Sequence, residues 1–140
     1  MKIIKKILLG TFIIAMVAAC YGFYLYHKKP ADIRTLSANY ELTASKIVAD
    51  FNADETSANA KYLDKVISVK GNVADIKIDT TGQATVFLNS DDPLASVTCS
   101  FYEDEAVSAK ALQKSKEVII KGKCTGKLMD VVLNKCSIIK

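Results

Sequence analysis

Histidine is nearly absent from this 140-residue chain, and the single one is His27. Residues 30–140 therefore lack the commonest general base and the commonest metal ligand, which argues against most acid–base and metal catalysis. The sequence also has no Gly-rich phosphate loop, no serine-nucleophile motif and no cluster at metal-ligand spacing. The adjacent acids Asp91 and Asp92 are a candidate cation site, but two neighbouring loop acids read as a solvated pair. No internal repeat or low-complexity tract is present. At 15.3 kDa there is no room for a multidomain enzyme. Nothing here implies a cofactor, a metal or an enzyme.

Acids are missing from residues 1–29, which hold five lysines. The formal net charge of +4 comes from this stretch, because residues 30–140 carry −1. That weakens a global case for nucleic-acid binding, which needs a basic fold. Hydrophobic residues make up 50% of the chain and are also unevenly spread. Ile7 to Tyr26 is an uncharged run, preceded by Lys2, Lys5 and Lys6 and followed by His27, Lys28 and Lys29. As a helix it would span about 30 Å, the thickness of a bilayer core. Tyr21, Tyr24 and Tyr26 cluster at one end, where aromatic rings prefer the membrane interface. The flanking charges mildly favour an inside N-terminus, with the rest of the chain facing the periplasm or exterior. A competing reading takes Ile7–Met16 and Val17-Ala18-Ala19-Cys20 as a lipoprotein signal with its lipobox. Cys20 would then be lipidated and the preceding residues removed. The apolar, aromatic residues after Cys20 suit a retained transmembrane helix better than a flexible tether. Residues 1–29 are thus expected to be a membrane anchor or signal, with residues 7–26 as the membrane contact.

Pro30 disfavours helical continuation at Lys29, and residues 30–42 read as a linker. Leu42, Ile47, Val48 and Phe51 recur at helical spacing, with Thr43 or Ser45 as N-cap. A second short helix starts at the Asp54 cap and runs to Tyr62, with Ala58 and Tyr62 on one face. From Lys65 the period changes to two. Ile67 and Val69 point one way, and after Gly71-Asn72 the apolar set becomes Ala74, Ile76 and Ile78. A parity change near a glycine signals a bulge, so Val66–Asp79 reads as one bent strand. Thr80-Thr81-Gly82 is a turn. Ala84, Val86 and Leu88 mark a second strand, Asn89 to Pro93 a loop, and Val97, Cys99 and Phe101 a third strand. A helical patch covers Asp104 to Leu112, with acids at its start and lysines at its end. Glu117–Cys124 and Met129–Ile139 are the last strands, turning around Thr125-Gly126-Lys127. The order β-β-β-α-β-β predicts a mainly β protein, a five-stranded OB barrel over residues 43–140. An open meander would leave its edges exposed.

The stretch Lys61-Tyr62-Leu63-Asp64-Lys65-Val66-Ile67-Ser68-Val69-Lys70-Gly71-Asn72-Val73 resembles the start of the barrel in the tRNA_anti-like OB-fold proteins. The resemblance continues at Val97-Thr98-Cys99-Ser100-Phe101. It ends with Lys121-Gly122-Lys123-Cys124-Thr125-Gly126 and Asp130-Val131-Val132-Leu133-Asn134-Lys135-Cys136. It implies a small exported or membrane-anchored protein of a type common in the Bacteroidetes. The family name refers to an anticodon-binding OB domain. It implies a fold, suggests nucleic-acid binding and transfers no catalytic residue.

The usual OB ligand face lies on strands two and three, with the first and last hairpin loops. Its outward residues are predicted as Thr85, Phe87, Thr98, Ser100 and Tyr102, with Lys123 and Lys127 from the last hairpin. Phe87 and Tyr102 would form a stacking platform. The competing expectation is that the N-terminal helices cover this face and bury Phe87. Residues 110–140 carry a net +6 and residues 30–109 a net −7. The last hairpin is therefore a positive edge, suited to an anionic partner or to protecting strand edges. Cys99, Cys124 and Cys136 fall on apolar parities and lack a fourth ligand for structural zinc. With a turn at Gly126-Lys127, Cys136 would face Glu117 or Val118, far from Cys124. Cys99 and Cys136, on neighbouring OB strands, are the better disulfide pair, and all-thiol is the other state. A redox role for the three cysteines is a remote reading. The function read from the sequence is a non-catalytic, membrane-anchored, outward-facing binding module for a protein, glycan or lipid headgroup. A single-stranded nucleic-acid-binding domain is the alternative.

Overall fold

The computed structural model describes residues 1–27 and 32–139. Helix α1 spans Lys2–His27. From Ile3 it is long and apolar enough to cross a membrane, with mean hydropathy 2.1. Its large apolar side chains are exposed along its length.

A second unit begins at Asp32. Pro30 and Ala31 of the expected linker lie outside the described residues, but the rest of that stretch is structured. Asp32 accepts from the Arg34 N–H at 2.9 Å and caps a 3-10 turn at Ile33–Thr35. Strand β1, Tyr40–Thr43, follows and includes Leu42, which the helical spacing had assigned to the next element.

Five further strands are β2 (Val66–Ile78), β3 (Ala84–Leu88), β4 (Val97–Phe101), β5 (Glu117–Lys127) and β6 (Val131–Ile139). They run in the order β2-β3-β4-β6-β5, and a β2–β5 pairing closes the ring. β4 and β6 are parallel, and the other barrel pairs are antiparallel. This closed five-stranded barrel is the predicted OB fold. β2 closes it by bending. Val66–Asn72 pair with β5, whereas Val73–Ile78 pair with β3. β1 adds in parallel along Ile67–Lys70, as a sixth strand outside the ring.

The parity change in β2 is present but displaced. Val73 is buried, and the register shift falls between Val73 and Asp75, beyond Gly71. Gly71 has a different task. A Cβ there would lie 3.0 Å from Ala44 Cβ and 3.3 Å from Leu88 Cβ, so its small size admits the first turn of the following helix. The last hairpin turns at residues 128–130 rather than at Gly126-Lys127. Gly126, at φ +100, makes a bulge within β5 instead.

Helix α2 (Ala44–Ala53) is capped by the Thr43 hydroxyl, which accepts from the Lys46 N–H at 3.2 Å. It buries Ala44, Ile47, Val48 and Phe51. Helix α3 (Glu55–Tyr62) is capped by Asp54 and buries Ala58 and Tyr62. The expected helix at Asp104–Leu112 is shorter. A 3-10 turn covers Glu103–Glu105, and α4 covers Ala106–Lys110. It stops early because the chain must return to β2. Ser115 takes φ +65 and donates its N–H to the Val73 carbonyl at 2.8 Å.

The pairing of α2 to α3 makes stability depend on acid. The Lys46 ammonium, and then the Tyr62 hydroxyl, hold the Asp50 carboxyl below the usual carboxylate range. A depressed folded pKa stabilises the fold above the unfolded value, and that stabilisation is lost as pH falls through the folded value. Below about pH 4, the unfolded carboxylate value, Tm is expected to fall. Asp50→Asn should lower Tm at pH 7 and flatten its decline toward pH 3, as read by thermal unfolding. Equal slopes in the two proteins would remove Asp50 from the account.

Candidate ligand-binding face

Strict alternation sets the outer face of the barrel. Ala84, Val86 and Leu88 of β3 enter the core, as do Val97, Cys99 and Phe101 of β4. Their neighbours point outward. Thr85 lies opposite Ser100 and Phe87 opposite Thr98, so four predicted residues meet on one face. β2 brings Asp75 beside Phe87 and Lys77 beside Thr85, and β6 brings Val132 beside Thr98. The Lys77 ammonium lies 5.0 Å from the Phe87 ring centre, within cation–π range.

The N-terminal helices do not cover this face, and Phe87 is half-buried rather than buried. α2 packs on β1, β2 and β6, and α3 on β5. The apolar stripe of α2 is already satisfied by the barrel core, which leaves no greasy face for the outer side of β3 and β4.

Tyr102 does not share a platform with Phe87. It lies four residues beyond Thr98, roughly 13 Å along the strand. The Tyr102 hydroxyl accepts from the Ile33 N–H at 3.3 Å, and the Arg34 guanidinium sits 4.8 Å from its ring centre. Arg34 in turn pairs with Asp32 and Asp104. The segment just before β1 is thereby fastened to the end of β4.

Lys123 and Lys127 also miss the face, because β6 stands between β5 and β4. Lys123 pairs with Asp64 at 2.8 Å, and Lys127 bonds the Asn52 side chain of α2. The neighbouring lysines are similarly engaged. Lys121 donates to the Arg34 and Leu36 carbonyls, Lys114 pairs with Asp75 at 2.7 Å, and Lys70 pairs with Glu117 at 3.0 Å. Of the eight lysines in residues 110–140, Lys114 and Lys123 pair with acids, while Lys121 and Lys127 bond neutral groups.

A groove of about 620 Å³ opens at the Tyr102 end of the face. Its lining includes the predicted Ser100 and Tyr102, together with Gln83, Glu103, Asn134 and Lys135. The last four were not predicted. A signal existed for Asn134 and Lys135. Leu133 and Cys136 are both buried although three residues apart, which only a bulge allows. Lys135 supplies it at φ +55.

The buried cysteines correct one register. Ser137 pairs with Lys121 and Asn134 with Lys123, so Cys136 faces Gly122, not Glu117 or Val118. The cause is the later turn and the Lys135 bulge. Cys124 therefore stands only two residues along β5 from the site facing Cys136, much nearer than a turn at Gly126 would place it. Cys99, Cys124 and Cys136 are buried thiols, and Cys20 is exposed on α1. Burial pushes the Cys124 thiol up. Burial, then the neighbouring Cys99 thiol, push that of Cys136 well up. Protonated core thiols are poor nucleophiles. Among the described residues no group of three His, Cys, Asp or Glu side chains could hold a metal ion.

The sequence model of the tRNA_anti-like family matches residues 1–138. No curated protein sequence matches the chain. A proposed nucleic acid-binding lipoprotein from Klebsiella pneumoniae has a similar solved structure. It is 20% identical, the match covers 80% of this chain and 100% of that one, and the TM-score is 0.59. The likeness is one of fold. The Stn1-Ten1 complex of S. pombe contains a more distant likeness, 16% identical over 54% of this chain and 58% of that one, with TM-score 0.43.

Proposed function

Because the chain belongs to the tRNA_anti-like family, we propose that it is a non-catalytic OB-fold binding module held at a membrane by residues 7–26. The barrel faces the periplasm or exterior, and the outer side of β3 and β4 is its ligand face. The observation that carries this reading is the open, half-buried face of Thr85, Phe87, Thr98 and Ser100, left uncovered by α2 and α3. A Cys20-linked lipid is the other form of the same anchor, and the exposed Cys20 and the lipobox-like spacing support it.

The charge around the face favours a ligand other than nucleic acid. Single strands are held by a basic groove with stacking aromatics. Here Glu103 and Asp130 lie beside the face, Asp75 and Asp104 are paired with Lys114 and Arg34, Lys77 is the cation over Phe87, and Lys123 and Lys127 are committed elsewhere, so the face is mixed in charge rather than a basic groove. Binding of the full chain to single-stranded oligothymidylate, measured against salt, tests this. No salt-dependent binding is expected in the near-physiological range. A steep inverse salt slope that Phe87→Ala abolishes would establish the nucleic-acid alternative instead. In cell fractionation the full chain should follow the membranes.

A further inference from the structure

We propose that the groove beside Tyr102 binds a carbohydrate chain. The proposal rests on the binding-module reading above and names the ligand class of that module. It stands on how the groove is built and on which of its groups are unused.

The volume of about 620 Å³ lies in the ~300–1,000 Å³ range of small-ligand sites. Apolar atoms make up more of its exposed wall than polar ones, and its polar groups are mixed in sign. Gln83 donates its amide N–H to the Phe101 carbonyl at 3.2 Å, which leaves its carbonyl oxygen to accept. The Asp104 carboxylate is taken by Arg34. Among the described residues no side-chain hydrogen bond or ion pair engages Ser100, Glu103, Asn134 or Lys135. A hydroxyl, a carboxylate, an amide and an ammonium are thus presented together, beside an aromatic ring held by Ile33 and Arg34.

The backbone makes this presentation at a cost. Lys135 is an L-residue at φ +55, in the left-handed region that favours glycine. Such bulges cluster next to functional sites, where they re-aim a side chain. Here the bulge sends Asn134 and Lys135 to the groove wall while returning Cys136 to the core.

Sugar hydroxyls both donate and accept, so each of these four groups can serve a polyol. Other ligand classes fit less well. A phosphodiester would meet the unpaired Glu103 with Lys135 as its one ammonium in the groove lining. A peptide cannot add as a strand, because β4 is paired on both edges, by β3 and by β6.

The test uses the full chain in a detergent without sugar headgroups. Backbone amide resonances are followed during titration with chitin, cellulose and malto-oligosaccharides and with solubilised peptidoglycan fragments. At least one series should shift Ser100, Tyr102, Asn134 and Lys135 saturably. Asn134→Ala and Ser100→Ala should each weaken it about fivefold to tenfold, the value of one hydrogen bond to a neutral group. Lys135→Gly should weaken binding while leaving Tm unchanged or higher, because glycine suits that φ. A purely structural role for Lys135 predicts no loss of binding. Unshifted groove resonances with every carbohydrate, or unchanged affinity in the Asn134 and Ser100 variants, overturn the proposal. So does a shift caused by a mixed-charge peptide. Silence from carbohydrate and oligothymidylate alike removes only this inference, whereas a salt-steep shift with oligothymidylate removes the preceding reading as well.

Discussion

Gly122→Ala is expected to destabilise the barrel by about 2 kcal/mol, which lowers Tm by roughly 10 °C. A Cβ at this position would lie 2.6 Å from Cys136 Sγ and 3.1 Å from Leu133 Cβ. Neither neighbour can easily give way. Cys136 and Leu133 are fully buried, and the Cys136 thiol donates to the Leu133 carbonyl at 3.4 Å. Interiors packed to crystal density transmit such overlap into rotamer and backbone strain. The double variant Gly122→Ala, Cys136→Ala removes the sulfur and should recover part of the loss, although Leu133 stays close. Both unfolding curves are to be measured with reductant present, so that any Cys99–Cys136 bond does not enter the comparison. Strict additivity of the two single-variant losses would show that the sulfur contact is not the cause.

Tyr62→Ala is expected to cost about 3–5 kcal/mol, whereas Tyr62→Phe should cost only about 1 kcal/mol. Tyr62 has no exposed surface and links three elements. Its ring meets Tyr40 of β1 edge-on, with centroids 5.3 Å apart, and lies 6.1 Å from Phe51 of α2. Its hydroxyl donates to Asp50 at 2.7 Å. The Lys61 ammonium lies 4.8 Å from the ring centre. Phenylalanine keeps the ring contacts and leaves Asp50 with Lys46, so the difference between the variants separates packing from the hydrogen bond. Loss of the ring should free α2 and α3 from the barrel before the barrel itself opens. Amide exchange in Ala44–Tyr62 should then rise above that in β2–β6. Equal losses of stability in the two variants would mean that the hydroxyl, not the ring, fastens the helices.

The legible parts of the fold share one property, a local period. α1 shows as an uncharged run, and β3 and β4 as clean alternation. α2 and α3 show as short apolar faces behind the Thr43 and Asp54 caps. The illegible parts depend on distant chain. β1 is four residues long, so Tyr40 and Leu42 alternate with Glu41 and Thr43 over too short a stretch to set a period, and it pairs along the edge that β2 offers at Ile67–Lys70. The turn at residues 128–130 lies beyond the glycine that seemed to mark it. Gly126 instead spends its φ of +100 on a bulge, where a Cβ would lie 3.3 Å from the Asn59 side chain of α3.

The ligand face divides in the same way. Thr85, Phe87, Thr98 and Ser100 follow from parity and register alone. Lys123 and Lys127 were grouped with them by type and nearness in sequence, and the structure separates them, while Tyr102 stands apart from Phe87 and meets Ser100 at the groove. Gln83, Glu103, Asn134 and Lys135 converge from the β2–β3 loop, the end of β4 and a bulge in β6, which no local pattern connects.

By itself the sequence determined the order of the five barrel strands, the closed barrel they imply, the membrane-length helix and the outward faces of the central strands. Those follow from hydrophobic periodicity, because burial of apolar surface drives each element and acts through spacing within one segment. Only the tertiary structure decided where the charges go. Lysines of residues 110–140 that read as a positive edge face Asp64, Asp75, Asn52 and two backbone carbonyls, and Lys135 is the one ammonium in the groove lining. A net charge counts groups along the chain. Pairing depends on distances of a few ångströms between segments far apart in it, and the barrel register alone sets those distances.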